Sequence, residues 1–498
     1  AADESCHARI VEVLLLEEPL GPRLAADDQG PGRIRIDGEL RVGLMTRGAT
    51  TLRATIRVPR EAVLTLGYGI PQQTRARLAG GVRFLVQARD QTGKEQCLHT
   101  GWLGADDERG GGKWRDVALR LDQFARQRIT ILLSSEATDA GGQREVRPQW
   151  AQHAYGFWSD PTIWVRAEKR PPNVVLIVID ALRADHLGCY GYARPTSPGI
   201  DRLAGESLLF EEAWSQAPWT LPSQASMLSG RYALSYGYFS RAGETVVPES
   251  ALLVSESLRQ AGFATAGFTG GAFAGAAFGM SQGFSTYFEE RAPQPGWAKA
   301  REWVARFKEV PFFLFLHTYQ VHDYWESGRE DPRAGQFAGP YRGRPYRYQG
   351  EELLEELRHH GERITQAERE FIIALYDTSL RRADDEVARL VEHLRQLGLL
   401  DSTLLILTSD HGQGFYEHGL YPHGNSLNEE FLHVPLVVRP PRQGRAGRRI
   451  SAPVGLVDIV PTVLGAVGLP NPGLPGRSLL EVKEEPGAAQ PPIFADFE

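Results

Sequence analysis

The chain has 498 residues, 42% of them hydrophobic and 23% charged, with a formal net charge of −7. That length implies two or more cores, and the well-mixed acidic balance offers no basic face, which argues against nucleic acid as a partner. No apolar run approaches the ~20 residues that span a bilayer, so no membrane span is expected; the longest runs, 174–179 and 311–316, read as buried strands.

The chain begins at Ala1 without Met or a visible signal peptide, as a processed or trimmed amino terminus would. Its three cysteines, Cys6, Cys97 and Cys189, lie far apart without a C-x-x-C pattern. Neither a zinc knuckle nor a disulfide framework is indicated, although one pair could still bridge. Cys189, in the segment LGCYGY, reads as a small buried filler.

Up to residue 167 apolar and polar residues alternate in short runs: Leu52–Val58, Val82–Ala88, Val117–Leu121 and Ile129–Leu133. Such alternation between turn residues predicts an all-β sandwich. The run 158–165 is its last strand and sets two tryptophans on the sheet. We read 1–167 as a jelly-roll-like sandwich similar to carbohydrate-binding modules. Trp102, Trp114, Trp158 and Trp164 read as core residues before sugar platforms.

Residues 168–172, EKRPP, form a linker, and from 173 to 498 the texture is α/β. Val174–Ile179, Phe312–Leu316, Thr403–Leu407 and Val434–Val438 are continuous apolar runs, as buried parallel strands require. Helical spacing lies between them, over Ile200–Ser207, Leu252–Ala261, Trp297–Phe307 and Glu368–Leu397, the last ending before Gly398. The alternation predicts a doubly wound, mostly parallel sheet. The Arg-, Glu-, Gly- and Tyr-rich stretch 323–365 reads as an insertion near the site rim, helical over 350–363.

Ligands of such sheets bind beyond the carboxyl ends of the strands. There the sequence places Asp180 after the first run, His317 and then His322 after the second, and Asp410 with His411 after the third. Two carboxylates and a histidine suit one divalent ion, Mn, Ca, Mg or Zn. The segment WTLPSQASMLSG at 219–230 reads as a short helix that Gly230 ends. Thr220 at its amino terminus is either an N-cap or a hydroxyl nucleophile set where the dipole favours an anion.

Several stretches carry a resemblance. NVVLIVIDALRADHLGCYGY from 173, TSPGIDRLA from 196, TLPSQASMLSG from 220, TLLILTSDHGQGFYEHG from 403, HGNSLNEEFLHVPLVV from 423 and LVDIVPTVL from 456 resemble the landmarks of the sulfatase family, in order over about 172–480. The resemblance implies a fold of alkaline phosphatase and sulfatase type. It also implies a metal-dependent ester hydrolase or transferase in the periplasm, at the cell surface or secreted. Asp180, Asp410 and His411 match the metal ligands, and Thr220 the nucleophile and a further metal contact. His423 matches a basic residue on the transferred group. His322, with His317 as a second candidate, matches a histidine near the leaving-group oxygen.

The chain departs from the family at telling positions. Sulfatases carry a Cys or Ser that becomes formylglycine, and Thr220, with a methyl on its β-carbon, has no route to that group. Gln224 stands where they have Arg, and Asp180-Ala181 where many have paired Asp. Thr220 instead resembles the nucleophile of phosphodiesterases and of phosphoethanolamine and phosphoglycerol transferases. The expected substrate is therefore a phosphate ester, glycan- or lipid-linked, with a phosphodiester foremost. Two alternatives stand beside it: sulfate-ester hydrolysis without formylglycine, and a non-catalytic glycan-binding surface protein. Family members usually continue into a small carboxyl-terminal subdomain; either this protein is shortened or that part lies beyond Glu498.

Overall fold

The structure, a computed structural model, describes residues 31–47, 51–75, 78, 80–106, 112–139, 142–143, 155–165, 170–237, 246–290, 293–325, 337, 341, 364–424, 426–442, 447–482 and 492–496. Cys6 and nearly all of the expected insertion at 323–365 lie outside these residues, as does the predicted helix at 350–363. The chain divides into two compact units, one comprising Ala1–Arg170 with Phe284–Phe288 and the other the remainder.

The first unit holds β1 (Pro31–Ile36), β2 (Glu39–Arg47), β3 (Thr51–Arg57), β4 (Ala62–Gly69), the one-turn helix α1 (Gln72–Arg75), β5 (Gly81–Arg89), β6 (Glu95–Gly104), β7 (Arg115–Arg120), β8 (Arg128–Thr138) and β9 (Tyr155–Val165). One antiparallel sheet runs β2-β9-β4-β7, with β1 on β2; the other runs β3-β8-β5-β6. Alternating residues of both sheets meet in one core. Leu52 and Ala54 of β3, Phe84 of β5, Leu64 of β4 and Trp158 of β9 are all buried in it. Trp158 is wholly enclosed, with Phe84 edge-on at 5.2 Å. Trp114 and Trp164 are also buried, and Trp102 is partly buried with its indole N–H on Thr138 Oγ1 at 2.8 Å. Indoles so packed lend their area to the core.

The second unit, interrupted at β14 by Phe284–Phe288 of the first, follows with β10 (Asn173–Ile179), α2 (Pro198–Ala204), β11 (Leu208–Phe210), β12 (Ala213–Trp214), α3 (Thr220–Ser229), α4 (Val254–Gln260), β13 (Ala264–Thr269), β14 (Thr286–Glu289), α5 (Pro293–Arg306), β15 (Phe312–Thr318), α6 (Gln366–Gln396), β16 (Thr403–Thr408), α7 (Glu429–Leu432), β17 (Leu436–Arg439), β18 (Arg448–Ile450), β19 (Val454–Gly455) and α8 (Ile459–Val467). Its main sheet runs β18-β11-β17-β16-β10-β15-β13. Thr286–Phe288 of β14 belong to the first unit. They pair antiparallel with β2, Tyr287 opposite Leu40.

The centre of the main sheet explains where a site can form. β10 lies between β15 and β16, parallel to both, with Ile179 opposite Thr318 and Val178 opposite Thr408. All seven residues of β10 are buried, so both faces are covered. Three carboxyl ends therefore come out side by side. β17 runs the other way, antiparallel to β16, and so delivers Arg439 to the opposite edge, where it bonds the Leu400 carbonyl and Asp401 at 2.7 Å.

Cys97 is exposed and Cys189 half-buried, and both are free thiols. Burial pushes the Cys189 thiol up to about 12, leaving it protonated and inert.

Candidate active site and metal centre

The end of β10 turns sharply. Ala181, next after Asp180, has φ of 60°, in the left-handed region that costs a non-glycine residue of order 1 kcal/mol. The surroundings hold it there. Tyr376 of α6 donates its hydroxyl to the Ala181 carbonyl at 2.8 Å and accepts the Arg183 N–H at 2.8 Å. Ser409, after β16, sits 2.7 Å from the Ile179 carbonyl and accepts the Leu182 N–H at 2.8 Å. The two strand ends are thus tied to each other by hydrogen bonds before any ligand is considered.

Asp180, Asp410 and His411 are fully buried, and one ligand atom from each lies within 4.8 Å of the others. Asp410 accepts the N–H of His411 at 3.0 Å on one oxygen and the Gln224 amide at 3.1 Å on the other. Its backbone carbonyl accepts from Ser223 at 2.6 Å, which fastens the first turn of α3 to the end of β16. His411 Nδ1 lies 2.9 Å from the Gly412 carbonyl. A carbonyl only accepts, so Nδ1 carries the proton and Nε2 turns its lone pair inward. That lone pair faces Asp180 Oδ1 at 3.5 Å, an oxygen with no hydrogen-bond partner.

Two buried carboxylates, an orphaned oxygen and an inward imidazole lone pair fit a divalent cation in their donor types. His317 offers a compensating charge. Its Nε2 lies 3.2 Å from Asp180 and 3.7 Å from Asp410. Burial opposes protonation of the ring, yet hydrogen bonds and charge from both carboxylates outweigh it and push it up to about 9. Asp410 is held well below the usual carboxylate range: burial works against the charged form, but His411, His317 and the Gln224 amide favour it more.

Thr220 is the first helical residue of α3, after an extended Trp219. Its hydroxyl reaches Asp180 Oδ2 and His411 Nε2, each at 3.3 Å. The amino terminus of a ten-residue helix adds free N–H groups and a positive dipole end at this point. Local pattern alone left N-cap and nucleophile open. Thr220 is in fact inside the helix and its hydroxyl caps nothing, bonding the cradle instead.

His423 and His322 complete the cluster. The His423 ring is 4.4 Å from that of His411, and the His322 ring 5.0 Å from that of His423. His322 Nδ1 bonds Asp323 at 2.8 Å. Burial lowers its proton affinity, but Asp180, Asp323 and Asp410 raise it above the ordinary value on balance. The structure therefore brings together every residue singled out in the sequence: Asp180, Thr220, His317, His322, Asp410, His411 and His423. Sequence reasoning passed over Tyr376, Ser409 and Gln413, and treated Gln224 only as a departure from pattern. Gln413 was within reach, two residues after His411. Tyr376 stands nearly two hundred residues from the turn it holds, with nothing local to mark it.

Comparison with known proteins gives a family. The family profile described as Sulfatase matches residues 172–469. The ulvan-active sulfatase of Formosa agariphila is 24% identical over 354 residues, covering 65% of this chain and 67% of its own. The steryl-sulfatase of Mus musculus is 26% identical over 408 residues, covering 62% and 65%. The chain thus spans about two thirds of the length of these relatives. A solved phosphonate monoester hydrolase of Agrobacterium radiobacter superposes with a TM-score of 0.50 at 20% identity, over 62% of this chain and 76% of that one, and shares the fold.

Proposed function

The chain belongs to the sulfatase family, and we propose that it is a metal-dependent hydrolase or transferase of phosphate esters, phosphodiesters foremost, working through a covalent intermediate on Thr220. The observation that carries this reading is the Thr220 hydroxyl, 3.3 Å from both Asp180 and His411 at a helix amino terminus. A threonine cannot become formylglycine, so the residue that meets the substrate is an alcohol.

Asp180, Asp410, His411 and the Thr220 hydroxyl would hold the ion. A divalent cation there would lower the pKa of that hydroxyl and offset charge on the transferred group. Thr220 Oγ1, its proton directed at Asp180 Oδ2, attacks phosphorus in line as the bond to the leaving oxygen breaks. His322, whose proton affinity is raised, passes a proton to the departing alkoxide. His423 and the α3 amino terminus face the equatorial oxygens. Water or a second alcohol then attacks the phosphothreonine and returns the proton. His317, set against Asp180 and Asp410, balances the carboxylates and stands behind His322 as a second substrate contact.

In this reading 1–167, joined by Phe284–Phe288, is an ancillary domain, 168–172 a linker and the rest of 173–498 the catalytic domain. The strand orders β2-β9-β4-β7 and β3-β8-β5-β6 support a jelly roll for the first. Family membership supports a periplasmic, cell-surface or secreted location. Among the described residues no helix is long and apolar enough to cross a membrane.

A second reading, sulfate-ester hydrolysis by the unmodified threonine, draws on the names of the curated relatives. One experiment separates the two. Nitrophenol release from aryl phosphodiester, phosphomonoester and sulfate esters is followed with and without chelator, beside Thr220→Ala. Chelator-sensitive phosphodiester cleavage that Thr220→Ala abolishes is expected. Full activity in that variant would sink the assignment, and cleavage of the sulfate ester alone would favour the second reading.

A further inference from the structure

We propose that the sandwich unit carries a binding groove for an acidic saccharide, one bearing carboxylate or sulfate groups, between β1, α1 and the turn at Gly112–Lys113. The groove encloses about 550 Å³. Among the described residues its walls carry Arg33, Arg35, Arg75 and Lys113 against a single carboxylate, Asp37. In a chain of net charge −7 this is a local reversal of sign, of the kind that concentrates an anionic ligand.

The backbone explains the clustering. Alternate residues of a strand point to opposite faces. Ile36 is buried with Trp114 and Phe157, and Ile34 packs on that cluster. Arg33 and Arg35 take the other parity and are exposed. Arg35 bonds the Gly38 carbonyl at 3.1 Å. Gln72 and Gln73 of α1 are exposed beside them and line the same groove.

The lining selects the ligand class. A guanidinium fork matches the paired oxygens of carboxylate or sulfate, and carboxamides donate to and accept from hydroxyls. No aromatic ring lies among the described lining residues, so the stacking that holds single-stranded nucleic acid is missing. The apolar share, Ile34 and Pro71, is too small for a lipid surface. A larger groove of about 640 Å³ beside α2 and α6 also has four arginines. There, however, two carboxylates, Glu206 and Glu392, stand among them. That groove lacks the same excess of positive charge.

The inference is independent of the chemistry at Thr220. Titration calorimetry on the full chain at near-physiological salt, with chondroitin sulfate and alginate hexasaccharides as probes and maltohexaose as neutral control, tests it. Binding of an acidic probe and none of maltohexaose is expected. Arg33→Ser with Arg35→Ser should weaken Kd by about 10-fold or more, the scale of losing one charged hydrogen bond, and Lys113→Gln should weaken it in the same direction. Thr220→Ala and Arg389→Ser should bind as the parent does. No binding of either acidic probe, equal loss in Arg389→Ser, an unaffected double variant, or equally tight binding of a short single-stranded DNA would overturn it.

Discussion

Oε1 of Gln413 lies 2.9 Å from Nδ1 of His423, and the backbone carbonyl of the same glutamine accepts a hydrogen bond from Arg183 at 3.0 Å. Arg183 is itself held by Asp185 and Glu417, each at 2.6 Å. The imidazole proposed to contact the transferred group is therefore oriented by a buried amide that is anchored in turn. Gln413→Leu removes the acceptor while keeping bulk. Its kcat on an aryl phosphodiester should fall about 10-fold, the lower end for a lost orienting partner, with little change in KM. Steady-state kinetics with metal content checked would decide it, and an unchanged kcat would count against the orienting role.

Thr220→Ser keeps a hydroxyl at the same helix position, whereas Thr220→Ala does not. The serine variant should retain measurable turnover and the alanine variant none, with both binding metal. Mass spectrometry of protein quenched during turnover should find the added phosphoryl group on residue 220 in the active forms only.

Metal removal should make stability depend on pH. Without metal, the carboxylates of Asp180 and Asp410 outweigh burial and push folded His317 up to about 9, against an ordinary 6.5. A raised folded value stabilises fully below 6.5 and loses that contribution as pH climbs through about 9, a span of up to about 3 kcal/mol. Chelated protein should melt lower at about pH 9 than at about pH 6, and a bound cation should shrink the difference. Melting curves of both forms, read on the α/β unit, provide the check.

Asp377 is fully buried and binds three partners: His186 at 2.8 Å, Tyr192 at 2.7 Å and Arg194 at 2.7 Å. It joins α6 to the loop after β10. Asp377→Ala leaves those groups without their acceptor and should cost about 3 kcal/mol. Chemical denaturation would measure it, and a loss below about 1 kcal/mol would show that water replaces the carboxylate.

What could be read from sequence follows from range. Val174–Ile179 and Thr403–Leu407 betrayed themselves by continuous apolarity, and Asp180, Asp410 and His411 by standing where those runs stop. Helix edges shifted for local reasons. The helix expected from Leu252 begins at Val254, because Leu253 is extended and gives its N–H to Glu256 at 2.9 Å. The strand expected at Val434 begins after Pro435, which has no N–H for a ladder. Gln224 on Asp410 and Tyr376 on Ala181 are contacts between distant segments, and no periodicity encodes them. The reversal of β17 was hidden for the same reason, since an apolar run has no direction.

The pairing of Tyr287 with Leu40 means that the sandwich is not a contiguous stretch of chain. A fragment ending near Arg170 would expose the β2 edge that β14 covers, and an open edge invites pairing with other chains. During synthesis that edge waits for more than a hundred further residues to leave the ribosome. Moving the first unit to another protein as a cassette would therefore require carrying Phe284–Phe288 along with it.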